Sequence, residues 1–193
     1  ENNIASCEEN LEKAVQSRID KLLFRMLFKN LFMLLTLVYS CSATAYVCPC
    51  DSKYFDGHCY YISPRTAKNW PAARATCRAR GGDLAVPTSK INNLHIFQAM
   101  KASNVHKAFI GLYKVADGLG TNTFYTVRGV EPTYTNWYPG QPSDSGGNED
   151  CGEMLPAHST SGGDVGGQWN DLPCNDRFPR HYVCQTSFQF NEN

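Results

Sequence analysis

Cysteine content constrains the fold of this chain more than any other feature. Nine of its 193 residues are cysteines, and seven of them fall between Cys48 and Cys184. This density in a short chain is typical of proteins that fold in an oxidising compartment, where disulfides reinforce a small core. Hydrophobic residues make up 42% of the chain, which argues against global disorder. The sequence therefore predicts one compact domain held together by disulfides.

Charge and motif content exclude several functional classes. The chain has 18 basic and 18 acidic residues, so its formal net charge of zero provides no basic surface for nucleic acid. Neither a nucleophile elbow nor an HExxH zinc motif occurs, and the five histidines are scattered without motif partners. We therefore expect neither a nucleic-acid partner nor enzymatic activity.

Residues 26–45 have the layout of a secretory signal peptide. A short segment containing Lys29 precedes an apolar run over residues 31–39, and Ala43-Thr44-Ala45 provides small side chains for cleavage. The competing interpretation is a type II membrane anchor, but the apolar run is shorter than the roughly 20 residues that span a bilayer. We expect cleavage after Ala45 and a secreted chain without a membrane span.

This interpretation divides the chain into three parts. Residues 1–25 precede the first methionine, Met26, and are expected to be an upstream leader that is not native protein. Residues 26–45 are the expected signal peptide, and residues 46–193 form the expected domain. No Pro/Gly-rich linker or internal repeat divides that domain.

Local patterns predict two early helices and several short strands. Asn69 caps a helix that runs to about Arg80 and buries Trp70, Ala73 and Cys77, with Gly81 at its end. Thr88 or Ser89 caps a second helix that ends near Lys101 and buries Leu94, Phe97 and Met100, with Ile91 as a further candidate. Strands are expected at a hairpin, in a β-prone run and at the end, over residues 54–62, 108–113 and 180–185. Residues 115–167 are rich in Gly, Pro, Ser, Asn and Asp and predict a long functional loop region.

An ordered set of short motifs resembles the long-form C-type lectin-like domain across residues 46–193. Cys48-Pro49 and Cys59-Tyr60 resemble its N-terminal hairpin, and Phe109-Ile110-Gly111-Leu112 resembles its WIGL core strand with Phe in place of Trp. Further matches follow in family order at Asn136-Trp137, Gln141-Pro142, Glu149-Asp150-Cys151 and Trp169-Asn170-Asp171. The resemblance implies an α+β fold with two helices, two small antiparallel sheets, a long calcium-binding loop region and disulfide staples.

The resemblance also implies a disulfide pairing that sequence alone leaves open. Three bridges are expected in the domain: Cys48–Cys59, Cys77–Cys184 and Cys151–Cys174. Cys50 is then left over, because the domain has seven cysteines. We expect Cys50 to bridge to a partner chain or to a second copy as a homodimer. The alternatives are that Cys50 remains a thiol, or that it takes the place of Cys48 in the hairpin disulfide.

Oxygen-bearing side chains in the loop region match the ligands that calcium prefers. In sugar-binding members of the family, five positions hold the principal ion, and they correspond here to Gln141, Ser143, Glu149, Asn170 and Asp171. Pro142 is expected to follow a cis peptide bond. Asp144 and Asp150 could contribute to an additional calcium ion, although Lys114 lies where that site often has an acid. The resemblance thus implies Ca²⁺ as cofactor and glycans as partners, with two sugar hydroxyls completing the ion's coordination.

The Gln141-Pro142-Ser143 sequence bears on sugar specificity. In the family, Glu-Pro-Asn accompanies mannose-type ligands and Gln-Pro-Asp accompanies galactose-type ligands, so Gln141 favours galactose-type glycans. Ser143 replaces a carboxylate, and the remaining acids, Glu149 and Asp171, give a formal charge of −2 that should weaken calcium binding.

An aromatic ring is expected against the apolar face of the sugar. Trp169 is the first candidate for this contact, followed by Trp137 and Tyr138, and Trp137 more readily fits core packing. The competing function is a calcium-independent module that binds a protein or another surface, including an antifreeze-like role, because a fold alone does not fix a function. A calcium lectin of this kind would serve recognition, adhesion or innate defence.

Overall fold

The structure, a computed structural model, describes residues 16, 48–115, 123–156, 158–160, 163–176 and 178–187. Its contacts separate a compact unit, Asp51–Phe188, from a second unit made of Glu1–Cys50 and Gln189–Asn193. All elements named below belong to the first unit. The predicted signal peptide and its cleavage point lie outside the described residues. Within the described ranges, no helix is both long enough and apolar enough to cross a membrane.

Two helices and ten short strands form the regular structure of the described residues. The helices are α1 (Trp70–Ala79) and α2 (Lys90–Ala102), and a single 3₁₀ turn covers Ser145–Gly147. The strands, in chain order, are β1 (Ser52–Phe55), β2 (His58–Ile62), β3 (Asp83–Leu84), β4 (Ala108–Lys114), β5 (Phe124–Thr126), β6 (Cys151–Met154), β7 (His158–Thr160), β8 (Gly163–Val165), β9 (Trp169–Leu172) and β10 (His181–Ser187).

Helix α1 follows its sequence prediction closely. The Asn69 side chain accepts a hydrogen bond from the Ala72 backbone N–H at 3.0 Å and so satisfies one of the unpaired donors of the first turn. Trp70, Ala73 and Cys77 are buried, which confirms the predicted face. The helix ends where Gly81 adopts a φ of 81°, a conformation that glycine reaches without steric cost.

Helix α2 begins as predicted, but its buried face differs from the prediction. Ser89 caps it by accepting from the Asn92 N–H at 3.1 Å. Met100 is buried and Phe97 is partly buried, whereas Leu94 is 48% exposed and Ile91 is 68% exposed. The prediction that Leu94 lines the core was therefore wrong, because polar residues occupy part of the helix face that meets the core.

Two buried asparagines of α2 account for this difference. Asn92 donates to the Tyr60 hydroxyl at 2.7 Å. The Asn93 amide donates to the Gly167 carbonyl at 2.9 Å, and its oxygen accepts from the Trp169 indole N–H at 2.8 Å. Buried amides are tolerated when their donors and acceptors are paired, so hydrogen bonding replaces apolar packing along this face.

Strand β10 joins the two halves of the sheet structure. It pairs antiparallel with β2 and β3, and it pairs in parallel with β4 through His181–Ala108 and Tyr182–Phe109. Strand β4 continues antiparallel to β5 and β6, and β6 pairs with β9. The α+β class is confirmed, but the two expected small sheets share β10 as one eight-stranded sheet, beside a separate β7–β8 ribbon.

The region predicted as a long loop contains regular structure. Strands β5 to β8 all fall within residues 115–167, and every residue of Cys151–Met154 is buried. Strands of three or four residues are too short to establish the alternating pattern that identifies a half-buried strand. The part of this region that remains irregular contains the candidate site described below.

Two predicted disulfides are present. Cys77 bonds to Cys184 and ties α1 to β10 across a separation of 107 residues. Cys151 bonds to Cys174 and ties the start of β6 to the segment after β9. Crosslinks that close loops of these lengths restrict the unfolded chain and contribute roughly 2–4 kcal/mol each.

The structure does not support the expectation that Cys50 is left over. Cys48, Cys50 and Cys59 are each disulfide-bonded. The pairing of Cys48 with Cys59 stays a prediction.

Candidate functional site

The candidate site lies where an irregular loop meets strand β9. We call residues 141–150 the site loop; it precedes β6 directly, and β9 pairs with β6. The peptide bond between Gln141 and Pro142 is cis, as the sequence predicted. All five predicted ligand residues belong to these two segments: Gln141, Ser143 and Glu149 to the loop, and Asn170 and Asp171 to β9.

Direct hydrogen bonds bring Ser143, Glu149 and Asp171 together. The Ser143 backbone N–H donates to Asp171 Oδ1 at 3.1 Å, and its hydroxyl donates to Glu149 Oε2 at 3.0 Å. The Ser145 N–H also donates to Glu149 Oε2, at 2.6 Å. The loop backbone thereby fixes both carboxylates, while their remaining lone pairs stay available to a cation.

Asn170 is oriented by a buried acid that the sequence analysis did not single out. Its amide nitrogen donates to Glu153 Oε1 at 3.2 Å and to the Asp171 carbonyl at 2.6 Å. Glu153 is 1% exposed and forms an ion pair with Arg180 at 2.7 Å. Because the nitrogen is engaged, the amide oxygen is the atom of Asn170 that can serve a cation.

Gln141 provides the observation that best tests whether the site suits a metal ion. Its side-chain oxygen is buried and accepts no hydrogen bond within the described part of the chain. An unpaired buried carbonyl oxygen costs free energy unless another group, such as a cation, satisfies it. The carboxylates of Glu149 and Asp171 and the neutral oxygens of Ser143 and Asn170 are, like this one, of the types that calcium prefers as ligands.

The donor set is poor in charge. No group of three or more His, Cys, Asp or Glu side chains suited to a metal converges in the part of the chain that the structure describes. A metal site here must therefore rely on neutral oxygens beside Glu149 and Asp171. Such a set suits a hard cation with several oxygen ligands and does not suit zinc, which prefers sulfur and nitrogen.

Asp144 and Asp150 surround a lysine. The Lys114 ammonium lies 2.8 Å from Asp144 Oδ2 and 3.2 Å from Asp150 Oδ1. Burial alone would lower the pKa of Lys114, but the hydrogen bonds that it donates to both acids outweigh this effect and raise the pKa above its usual value. The same ammonium lowers the pKa of Asp144. An additional metal ion on these two acids would have to displace this ion pair, contrary to the role that the sequence suggested for them.

The aromatic prediction needs correction. Trp169 is 0% exposed and donates its indole N–H to Asn93, so it cannot stack on a sugar. Trp137 packs edge-on against Trp169 at 5.6 Å between ring centroids and against Phe124 at 4.8 Å, as its core interpretation predicted. Tyr138 remains as the candidate; its carbonyl accepts from the Gln141 N–H at 2.8 Å, which places it next to the site loop.

Glu153 and Asn93 are the supporting residues that sequence reasoning missed. Glu153 is the only charged residue of its strand, and a lone acid in a short apolar segment indicates a buried ionic partner. Asn93 belongs to an Asn-Asn pair on the face of α2 that packs on the core. An amide in such a position indicates a buried hydrogen bond, here the one that holds Trp169 beside Asn170.

Comparison with known proteins places this geometry in context. The family model described as the lectin C-type domain matches residues 66–186. Collectin-10 of Gallus gallus is 34% identical over 127 residues, covering 65% of this chain and 41% of that protein. A perlucin-like protein of Mytilus galloprovincialis is 32% identical over 161 residues, covering 80% of this chain and 94% of that protein. The chain thus spans about two fifths of the collectin relatives and nearly all of the perlucin-like one.

Solved structures share the fold. The C-type lectin CEL-I from Cucumaria echinata superposes with a TM-score of 0.62 at 25% identity, covering 74% of this chain and 99% of that one. A calcium-independent type II antifreeze protein superposes equally well, with a TM-score of 0.62 at 26% identity over 75% of this chain and 98% of that one. The fold by itself therefore does not imply calcium dependence.

Proposed function

The chain belongs to the C-type lectin domain family, and from this premise we propose that it is a secreted, calcium-dependent, carbohydrate-binding lectin that favours galactose-type glycans. Its lectin relatives support carbohydrate binding in general. The observation that carries the calcium proposal is the buried, unsatisfied oxygen of Gln141 in the same loop as Ser143 and Glu149. A bound cation would satisfy that oxygen.

In this proposal five side chains hold the ion, and they act in two groups. Glu149 and Asp171 supply the negative charge and are already fixed by loop N–H groups. The neutral oxygens come from Gln141, Ser143 and Asn170. When bound, calcium would coordinate hydroxyls of the sugar directly, since it prefers oxygen ligands.

The sugar specificity would follow from hydrogen bonding around the ion. An amide side chain can both donate and accept, whereas a carboxylate only accepts, so their order around the site selects the geometry of the two hydroxyls. Gln141 supports a galactose-type preference. Tyr138 is the aromatic residue that we propose for contact with the sugar's apolar face, because both tryptophans next to the site are committed to packing.

The test is retention of the purified protein on immobilised galactose and on immobilised mannose, with calcium and then with chelator. We expect retention on galactose that chelator abolishes. Retention on mannose alone would refute the specificity and preserve the mechanism. Glu149→Gln removes one of the two acidic ligands and should weaken calcium binding by at least about tenfold. Glu131→Gln changes an exposed acid outside the site and is the matched control.

The competing function is a calcium-independent binding module. It is favoured by the internal hydrogen bonds of the site loop, and by the similarity to the calcium-independent type II antifreeze protein. In that case neither matrix would retain the protein, and calcium would not raise its melting temperature. A calcium-induced rise that Glu149→Gln removes would contradict this alternative.

Export is the remaining part of the proposal. All seven described cysteines are disulfide-bonded, which supports folding in an oxidising compartment. We propose that residues 26–45 direct secretion and that the mature domain is residues 46–193. N-terminal sequencing of the protein released by expressing cells should start at Tyr46. Retention of the protein in the cell membrane would instead support the type II anchor.

A further inference from the structure

Lys114 is unusual because its ammonium group pairs with two acids of the same domain. Its side chain is only 10% exposed, although lysine is among the residues least often buried. The ammonium contacts Asp144 at 2.8 Å and Asp150 at 3.2 Å, and the Lys114 backbone N–H donates to the Asp150 carbonyl at 2.7 Å. The last residue of β4 therefore holds both the start and the end of the 144–150 segment.

Asp144 transmits this contact to the proposed calcium ligands. Its second carboxylate oxygen accepts from the Glu149 N–H at 3.1 Å, and its own N–H donates to Asp171 Oδ2 at 2.8 Å. Its φ of 49° marks a sharp local turn at this point of the loop. The ammonium is thus one residue away from both acidic ligands, Glu149 and Asp171.

The surrounding charge explains what the ammonium does. Asp144, Glu149, Asp150 and Asp171 are four acids linked through Lys114 and through backbone N–H groups within one loop and one strand end. Like charges gathered in one place repel one another. A fixed positive charge between Asp144 and Asp150 offsets this repulsion. A bound divalent cation would otherwise have to neutralise the same acids.

We propose that the Lys114 ammonium is a permanent internal cation that takes the place of a second calcium ion and holds the site loop ready for a single one. This inference rests on the proposed calcium function for its stoichiometry. Its structural part concerns the loop alone, because Lys114 holds Asp144 and Asp150 through its own contacts. Lys114 is a positioning residue, since it acts on the acidic ligands through Asp144.

The first experiment measures the loop without calcium. In chelator, amide hydrogen exchange at Ser145, Gly147 and Glu149 reports the loop hydrogen bonds. Lys114→Met keeps the length of the side chain and removes its charge, and should speed exchange roughly tenfold, as expected for the loss of two partly buried ion pairs. Lys114→Arg keeps the cation and should leave exchange near the wild-type rate. Unchanged exchange in Lys114→Met would overturn the proposal.

The second experiment counts ions by calorimetric titration with calcium. Wild type and Lys114→Arg should bind one ion, and Lys114→Glu, which places a third acid beside Asp144 and Asp150, should bind one more than wild type. Two ions in wild type would overturn the internal-cation role while the calcium function stands. A third outcome separates the two proposals. If wild type binds no ion, while Lys114→Met exchanges faster and Lys114→Glu binds one ion, the proposed calcium function is refuted and the role of Lys114 is supported.

Discussion

Replacing Arg180 with methionine should destabilise the domain strongly, because Arg180 is the main partner of a buried acid. The side chain of Glu153 is 2% exposed, and its carboxylate lies 2.7 Å from Arg180 Nε. The other contacts of that carboxylate are weaker: Lys107 at 3.7 Å and the Asn170 amide at 3.2 Å. Arg180→Met preserves the length of the side chain and removes only the charge and its hydrogen bonds.

The structure sets the size of this effect. Removing one member of a buried ion pair typically costs about 3–5 kcal/mol. The Arg180 side chain is 15% exposed and Glu153 keeps its two weaker partners, so we expect a cost at or just below the lower end of this range, about 2–3 kcal/mol. For a domain of this size, such a loss lowers the melting temperature by roughly 6–10 °C. Lys107, whose side chain is 46% exposed, should contribute less than about 1 kcal/mol.

Denaturant unfolding in chelator measures both variants without any contribution from calcium. Lys107→Met is the matched control, since it removes a positive charge from the same carboxylate. A double variant, Glu153→Leu with Arg180→Met, should recover part of the loss, because the unpaired buried charge of Glu153 is then removed. The reasoning is refuted if Arg180→Met costs no more than Lys107→Met, or if the double variant is less stable than Arg180→Met.

Three further outcomes follow from the core. Gly111→Ala should cost about 1–3 kcal/mol in urea unfolding, because the added Cβ would lie 2.6 Å from the Leu84 carbonyl oxygen; wild-type stability would contradict this. Tyr60→Phe should cost about 1–3 kcal/mol by calorimetry, since the buried Asn92 amide loses its acceptor; Thr76→Ala, at an exposed helical hydroxyl, is the control. Burial, and then the nearby positive charge of Arg128, lowers the pKa of His58. As the pH drops, the unfolded chain binds a proton at this histidine before the folded protein does, so the free energy of unfolding should fall below about pH 6.5. In chelator, His58→Gln should reduce that fall between about pH 7.5 and pH 5. An equal fall in both proteins would refute this assignment.

The predictable parts of the fold were those with a strong local signal. Helix α1 has a capping asparagine, apolar residues at helical spacing and a terminal glycine, and all three agree with the structure. Helix α2 has a clear cap but buries Asn92 and Asn93, whose partners lie on other elements. No local pattern contains that information, since a buried amide is recognisable only when its distant partners are known.

The candidate site, like the fold, was predictable only in part. The family resemblance located the site loop and the cis bond before Pro142, and it paired Cys77 with Cys184 and Cys151 with Cys174. It could not show that Trp169 is buried, because an aromatic residue beside a loop motif suits packing and ligand contact equally well. Nor could it show that Glu153 orients Asn170, which depends on the register of β6 against β9.

The burial of Trp169 has a practical consequence. The emission of an indole depends on its immediate electrical surroundings, and Trp169 precedes Asn170 and Asp171 directly in the chain while being shielded from solvent. A divalent charge held by those two neighbours would alter the field at the ring without altering its exposure to water. Trp169 would thus serve as an optical probe of the proposed calcium site, and calcium binding could be followed in unlabelled protein, with Trp137→Phe removing the signal of the adjacent ring.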